Sequence, residues 1–368
     1  MTFSLSYTPQ PPLSATEARA LVKHNGSLYC GTGNWKQTTP ISGPQIIRLD
    51  SVSGTWQLEV EFPIAPVNRI AVACLSEIYF PTANTTTLVC GFFGGSAVGV
   101  RNAPGQWSVT RIGNGSGQIR SFIAHRDNVT RVDMAFAGSN QGIFSGVYDT
   151  ALPGEIMWAS TPELDISGFP PMSKGLPERV MSFAEQGGVL YATIGQRIYR
   201  RNDGAPSSWT LVWTNPLPGI SQSGLRGMTP VNGNLWIGVE GTEGRIVSID
   251  PTTWESQTEL DISGPRHYYV IVAYNNMCVL NVPGTSGRAL LAGLDGRETG
   301  PAHYLCLYKG VWTEFAIPPA APNPMVSCRT ICASPFNTTD VYFGGYDCNG
   351  KSARDTAWVA VSPIDGAL

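Results

Sequence analysis

Six arginines each stand at the head of a short apolar run. Arg19 opens Ala20-Leu21-Val22, Arg69 opens Ile70-Ala71-Val72, and Arg120 opens Ser121-Phe122-Ile123. Arg179 opens Val180-Met181-Ser182-Phe183, Arg226 opens Gly227-Met228-Thr229, and Arg329 opens Thr330-Ile331-Cys332. A guanidinium presents forked donors that match carboxylate, phosphate, enolate or carbonyl oxygens. In a site of low dielectric it also stabilises negative charge developing on such an oxygen. The six are therefore candidates to hold a small anionic or oxygen-rich molecule. Arg120 and Arg226 are assigned to catalysis; Arg19, Arg69, Arg179 and Arg329 are assigned to substrate binding. The competing reading is structural. A repeated unit reuses one solution, and each arginine then bonds a loop carbonyl or an acidic residue. The duplicated segments Glu163-Leu164-Asp165-Ile166-Ser167-Gly168 and Glu259-Leu260-Asp261-Ile262-Ser263-Gly264 supply carboxylates for that role.

Between Arg226 and Arg329 the pattern breaks, and broken symmetry says more about chemistry than symmetry does. The segment there reads Arg266-His267-Tyr268-Tyr269-Val270. His267 and Tyr268 are candidates to move or hold a proton, and Tyr269 joins the substrate-binding set. The alternative is that both tyrosines are ordinary strand aromatics. The longest insertion follows, through Gly293-Leu294-Asp295 to His303, and is expected to cover the same end of the fold. Trp35 lies outside any strand-like context. It either contacts ligand or packs under its own loop. His24 and His125 fall five residues after Arg19 and Arg120, which places them at the far end of the same strands. The chain has four histidines, no HExxH and no His/Cys cluster, so no metal is expected. Gly91-Phe92-Phe93-Gly94-Gly95-Ser96 lacks the Gly-Lys-Ser/Thr of a phosphate loop, and no cofactor is expected.

The elements that position these residues repeat. Trp56, Trp107, Trp158, Trp209, Trp254 and Trp312 are spaced by 51, 51, 51, 45 and 58 residues. With the Arg266 segment included, the arginine landmark marks seven units. Each unit continues from its arginine run through a turn into a short β-type run, as in Asn25-Gly26-Ser27-Leu28-Tyr29-Cys30 and Asn232-Gly233-Asn234-Leu235-Trp236-Ile237. A third run follows, and then a turn with the tryptophan just after it. Runs that are β-branched or aromatic and bounded by Gly, Asn, Asp or Pro read as strands. No segment carries a sustained helical period.

Four short strands per unit, repeated seven times, resembles a β-propeller. The predicted fold class is all-β: a seven-bladed β-propeller with four antiparallel strands per blade. The expected blades span about 14–62, 63–113, 114–165, 166–215, 216–261, 262–318 and 319–368, forming one domain over residues 1–368. The last unit runs out after its third strand. The alternating Thr2-Phe3-Ser4-Leu5-Ser6-Tyr7 is expected to supply its outer strand. The turn before each tryptophan resembles a degenerate Asp box, the hairpin of sialidase-type propellers. The nearest matches are Ser248-Ile249-Asp250 before Trp254 and Asn202-Asp203-Gly204 before Trp209. In such a fold the innermost strands line the central channel, so the resemblance implies an arginine-lined funnel. The Asp box is a folding element, and the resemblance identifies no single family.

Composition bounds the function. With 41 glycines, 28 prolines and only 14% charged residues, the chain is turn-rich and sparsely charged beside the roughly 25% of an average domain. Its 24 basic residues face 27 acidic ones and form no basic run, which argues against nucleic acid as a partner. No apolar stretch reaches the roughly 18–20 residues that span a bilayer, and Met1–Tyr7 lacks the features of a signal peptide. A cytoplasmic protein that does not engage membrane is expected. The eight cysteines (30, 74, 90, 278, 306, 328, 332 and 348) form no CxxC pair and are expected to be buried free thiols.

The leading expectation is a cofactor-free lyase, isomerase or cyclase, including pericyclic ring closure, acting on a small organic molecule. A carbohydrate-binding lectin and a protein-interaction scaffold are the alternatives. A sialidase is disfavoured, because Arg69-Ile70-Ala71 departs from the Arg-Ile-Pro signature.

Overall fold

A computed structural model describes residues 3–8, 13, 15–34, 42–65, 69–115, 117–152, 155–171, 177–216, 224–239, 244–262, 269–270, 277–295, 301–318, 325–346 and 356–364. Their secondary structure consists of thirty β-strands. No helix among the described residues is long and apolar enough to cross a membrane. The chain divides into two compact units, residues 1–73 with 267–368, and residues 74–266.

The strands arise from local turn chemistry. Asn25-Gly26, Gly187-Gly188, Asn232-Gly233 and Lys309-Gly310 each hold both central residues at positive φ. They close two-residue hairpins in which His24 pairs Ser27, Gln186 pairs Val189, Val231 pairs Asn234 and Tyr308 pairs Val311. This mirror-image turn matches the right-handed twist of the strands that it joins.

Hairpins then extend into four-strand antiparallel meanders. In the second unit, Val180–Gln186, Val189–Ile194, Arg197–Asn202 and Ser208–Thr214 pair in chain order. So do Leu225–Val231, Asn234–Val239, Arg245–Ile249 and Ser256–Asp261. Ile119–Arg126, Asp133–Ser139, Gly142–Tyr148 and Ile156–Trp158 form another meander, with Leu164–Asp165 added against the third strand.

In the first unit, Glu17–His24, Ser27–Gly33, Gln45–Leu49 and Gln57–Glu61 pair in chain order. Ser327–Ala333, Asp340–Tyr346 and Ala357–Pro363 take their fourth strand from the start of the chain. Ser4–Tyr7 lies antiparallel to Ala357–Pro363, with Ser4 opposite Val361 and Tyr7 opposite Val359. The borrowed strand is thus where the sequence placed it.

Cores form between sheets. In the first unit Tyr304 and Phe343 are fully buried with ring centroids 4.8 Å apart, and Phe3 reaches the same cluster. In the second, Phe136, Phe183 and Ile198 share one cluster. Each such side chain contributes about 1.5–3 kcal/mol by leaving water. The periodic tryptophans act as cement at these joins. Trp209 packs edge-on to Phe136 at 6.3 Å, and Trp254 meets Tyr191 at 5.9 Å, each on the preceding meander. The described cysteines are free, and burial pushes the Cys30 and Cys328 thiols up and that of Cys306 to about 11. Cys348 lies outside the described residues.

Candidate functional site

The recurring arginines sit at one end of the first strand of their meanders, and three occupy a specific backbone irregularity. Ala18 pairs Thr32 and Ala20 pairs Gly31, so Arg19 is the extra residue of a β-bulge. Ile119 pairs Ser139 and Ser121 pairs Gly138, which makes Arg120 the extra residue in its strand. Cys328 pairs Gly345 and Thr330 pairs Gly344, which does the same for Arg329. A bulge leaves one residue out of the ladder and re-aims its side chain. Arg226 stands immediately before a comparable register shift, between Arg226 and Thr229. Arg179 directly precedes Val180, after which the register also shifts.

In the first unit these side chains converge on Glu17. The Arg19 Nη1 lies 2.6 Å from Glu17 Oε2, with both side chains fully buried. The Arg329 Nε lies 2.9 Å from Glu17 Oε1, and its guanidinium stacks 4.9 Å from the Tyr346 ring centroid. Arg69 is buried and donates through Nη1 to the Pro63 carbonyl at 3.4 Å.

In the second unit the strands that begin at Ile119, Val180 and Leu225 lie side by side. The Thr193 hydroxyl donates to the Leu225 carbonyl at 3.2 Å, and the Met228 amide donates to Ser182 Oγ at 3.2 Å. Arg120 and Arg226 are buried and Arg179 is half-buried, so one row carries three guanidiniums. Arg120 stacks 4.8 Å from the Phe93 ring centroid and donates to Gln118.

The duplicated acidic segments serve other arginines than those expected. Glu163 pairs Arg201, and Asp261 pairs Arg245 at 3.1 Å. The reason is position: these carboxylates lie near outer strands, whereas the recurring arginines lie on first strands. His267, Tyr268 and Trp35 fall outside the described residues; Tyr269 is described as a strand residue opposite Asp295.

One carboxylate that sequence reasoning missed stands beside the row. Glu178 immediately precedes Arg179 and is 8% exposed. It sits over Gly195, where an added Cβ would lie 2.0 Å from Glu178 Oε2. That oxygen is buried with no hydrogen-bond partner among the described residues. Burial raises the Glu178 pKa, against the pull of Arg197 at 3.4 Å. Burial thus penalises the charged form of this carboxyl. The adjacent Glu-Arg pair was its only signal in the sequence.

The far ends of the same strands hold a second charged cluster. His125, fully buried in its side chain, places Nδ1 2.6 Å from Glu185 Oε2 and Nε2 3.0 Å from Asp203 Oδ1. Arg201 pairs Asp127 at 2.8 Å and Glu163 at 3.0 Å, and also meets Asp203. Asp203 of the Asp-box-like turn further accepts the Asn128 amide at 2.9 Å. These groups tie two meanders together.

No protein-family model matches the chain, and no curated protein matches it. Solved structures do. The BP39L lectin from Burkholderia pseudomallei superposes with a TM-score of 0.61 at 15% identity, covering 96% of this chain and 98% of that one. The alpha-L-arabinofuranosidase Arb93A from Fusarium graminearum, in complex with an iminosugar inhibitor, gives a TM-score of 0.50 at 10% identity, covering 99% and 98%. At such identities the likeness is one of fold. With antiparallel four-strand meanders repeated along the chain, this is an all-β protein of the β-propeller type.

Proposed function

We propose that this protein binds a small, oxygen-rich acidic molecule at its arginine row, and that its meanders are the seven blades of a propeller. The observation that carries the reading is the placement of Arg120, Arg179 and Arg226 at one end of three neighbouring strands, each at or beside a break in register. Bulges cluster next to functional sites because they re-aim side chains. Guanidiniums ranked in this way suit a carboxylate and its neighbouring oxygens. A sugar acid is the class favoured, since a lectin and an arabinofuranosidase share the fold. Fold likeness alone leaves function open, so the argument rests on the side chains.

A second reading, catalysis without a cofactor, draws support from Glu178. A buried carboxyl with a raised pKa beside Arg179 has the character of a general acid. Arg120 and Arg226 would then polarise an oxygen while Glu178, His267 or Tyr268 handles the proton.

Thermal shift with D-glucuronate, D-gluconate, citrate and D-glucose tests the binding reading. A ligand at about 100 times its Kd adds roughly 2.7 kcal/mol to stability. The acids are expected to raise the Tm of the parent protein, and Arg120→Gln and Arg226→Gln are expected to abolish the rise. Variants that melt early yet respond to acids as the parent does would assign the arginines to structure and reject the site.

A further inference from the structure

A different part of the second unit has the build of a ligand pocket. The turn after Phe80, the loop after Arg126 and the end of strand Gly142–Tyr148 border an open hollow of about 290 Å³. Its walls include Phe80, Thr82, Arg131, Asp133, Tyr148 and Thr150. It lies at the opposite end of strand Ile119–Arg126 from Arg120, so it is separate from the arginine row. Small-molecule pockets run from about 300 to 1,000 Å³; this one is sized for a single ring.

The walls combine an aromatic surface with groups that both donate and accept hydrogen bonds. The Phe80 and Tyr148 rings stand 5.2 Å apart, with Phe80 buried and Tyr148 half-buried. The Asp133 side chain is 8% exposed; Oδ2 accepts the Thr82 amide at 2.6 Å, and Oδ1 pairs with Arg126 at 3.4 Å. Two acceptor positions are thereby used, and a carboxylate has about four. Arg131, Thr82 and Thr150 are also among the wall residues, and the Thr82 hydroxyl accepts from Arg126 at 3.3 Å.

The loop that delivers Arg131 is fixed in advance. Arg131 has φ of 63°, in the left-handed region that a side chain rarely adopts. Its amide donates to the Asp127 carbonyl at 2.9 Å, and the Asp127 amide donates to the Val132 carbonyl at 3.0 Å. The Asp127 carboxylate accepts the Val129 and Thr130 amides at 2.9 and 2.8 Å. The same turn recurs at Asp250–Glu255, where Trp254 has φ of 62°, so it is a regular turn of this fold; a fixed loop reduces the ordering cost of binding.

We propose that this hollow binds one pyranose ring of a neutral sugar. Arg131 and Asp133 share the walls, and Asp133 also pairs with Arg126, so the walls offer both donors and acceptors to a neutral polyhydroxylated ring. Sugar hydroxyls can donate to Asp133 and accept from Arg131 at once. The C–H face of the sugar ring matches the half-buried Tyr148 ring, which packs on the buried Phe80.

Saturation-transfer NMR with the methyl pyranosides of glucose, galactose, mannose, fucose and N-acetylglucosamine is the test, followed by calorimetry for any that bind. At least one is expected to bind. Arg131→Gly removes the guanidinium while suiting the left-handed backbone, so the variant keeps its fold. It is expected to weaken binding by about tenfold or more, as is Asp133→Asn, for the loss of charged hydrogen bonds, whereas Tyr148→Phe retains it. Failure of every sugar to bind the parent protein overturns the proposal. So does binding that survives Arg131→Gly, or that falls only with Arg120→Gln, which would move the sugar to the arginine row.

Discussion

The imidazole of His125 and the carboxylate of Glu185 meet at 2.6 Å, with the histidine side chain wholly out of solvent. The other ring nitrogen faces Asp203 at 3.0 Å. A neutral imidazole has one donor and one acceptor, so only the doubly protonated ring satisfies both carboxylates. Burial opposes that charge, but the hydrogen bonds to Glu185 and Asp203 outweigh it, and the pKa rises.

Stability should therefore fall on the alkaline side. A folded-state pKa above the unfolded value, near 6.5, contributes stability that is complete below the unfolded pKa and is lost as pH rises through the folded one. Urea denaturation from about pH 6 to 9 is expected to show this decline. His125→Gln should remove most of it. Identical pH profiles for the parent and His125→Gln would refute the imidazolium assignment. Asp127 and Asp203 act in the opposite sense. Burial opposes their charge as well. Backbone amides and Arg201 hold Asp127 well below the usual carboxylate range, and backbone, His125 and Arg201 lower Asp203. Their contribution is lost as pH falls through those lowered values.

Arg201 should be the most costly single truncation in the second unit. Its side chain is 2% exposed and meets Asp127, Glu163 and Asp203. Arg201→Met leaves buried carboxylates without their cation, a change that costs about 3–5 kcal/mol. Arg245→Met is the control, since its partner Asp261 is 46% exposed; exposed pairs contribute about 0–1 kcal/mol. Equal losses in urea for the two variants would contradict the ranking.

The borrowed strand should be needed for a soluble fold. Trp56 donates through Nε1 to Ser6 Oγ at 3.0 Å, and its ring lies 5.8 Å from that of Tyr7. Tyr7→Ala is expected to cost about 3 kcal/mol, the lower range for removing a buried aromatic. Deleting residues 1–8 should also bare the edge of Ala357–Pro363 and promote association. Size-exclusion chromatography measures the second effect, and a monomer of unchanged Tm would disprove both.

Much of the fold could be read directly from the residues. Asn25-Gly26 and Asn232-Gly233 announce hairpins because φ above zero at both central positions is a property of those residues themselves. The alternation in Ser4-Leu5-Ser6-Tyr7 marks a strand for the same local reason. The site was harder to read. The recurring arginines were visible as a pattern, but their place in the bulge was not: an extra residue exists only relative to the partner strand. Glu163 resembled a partner for a recurring arginine, yet it lies against Arg201.

By itself, then, the sequence determined the all-β repeat, its turns and the borrowed strand, since each follows from short-range backbone preference and side-chain alternation. Only the tertiary structure decided which charges meet. Glu185 and Asp203 stand 60 and 78 residues from His125 along the chain. The hollow likewise draws its walls from three separate segments. Electrostatics acts over a few ångströms of space, and packing alone sets which residues come that close.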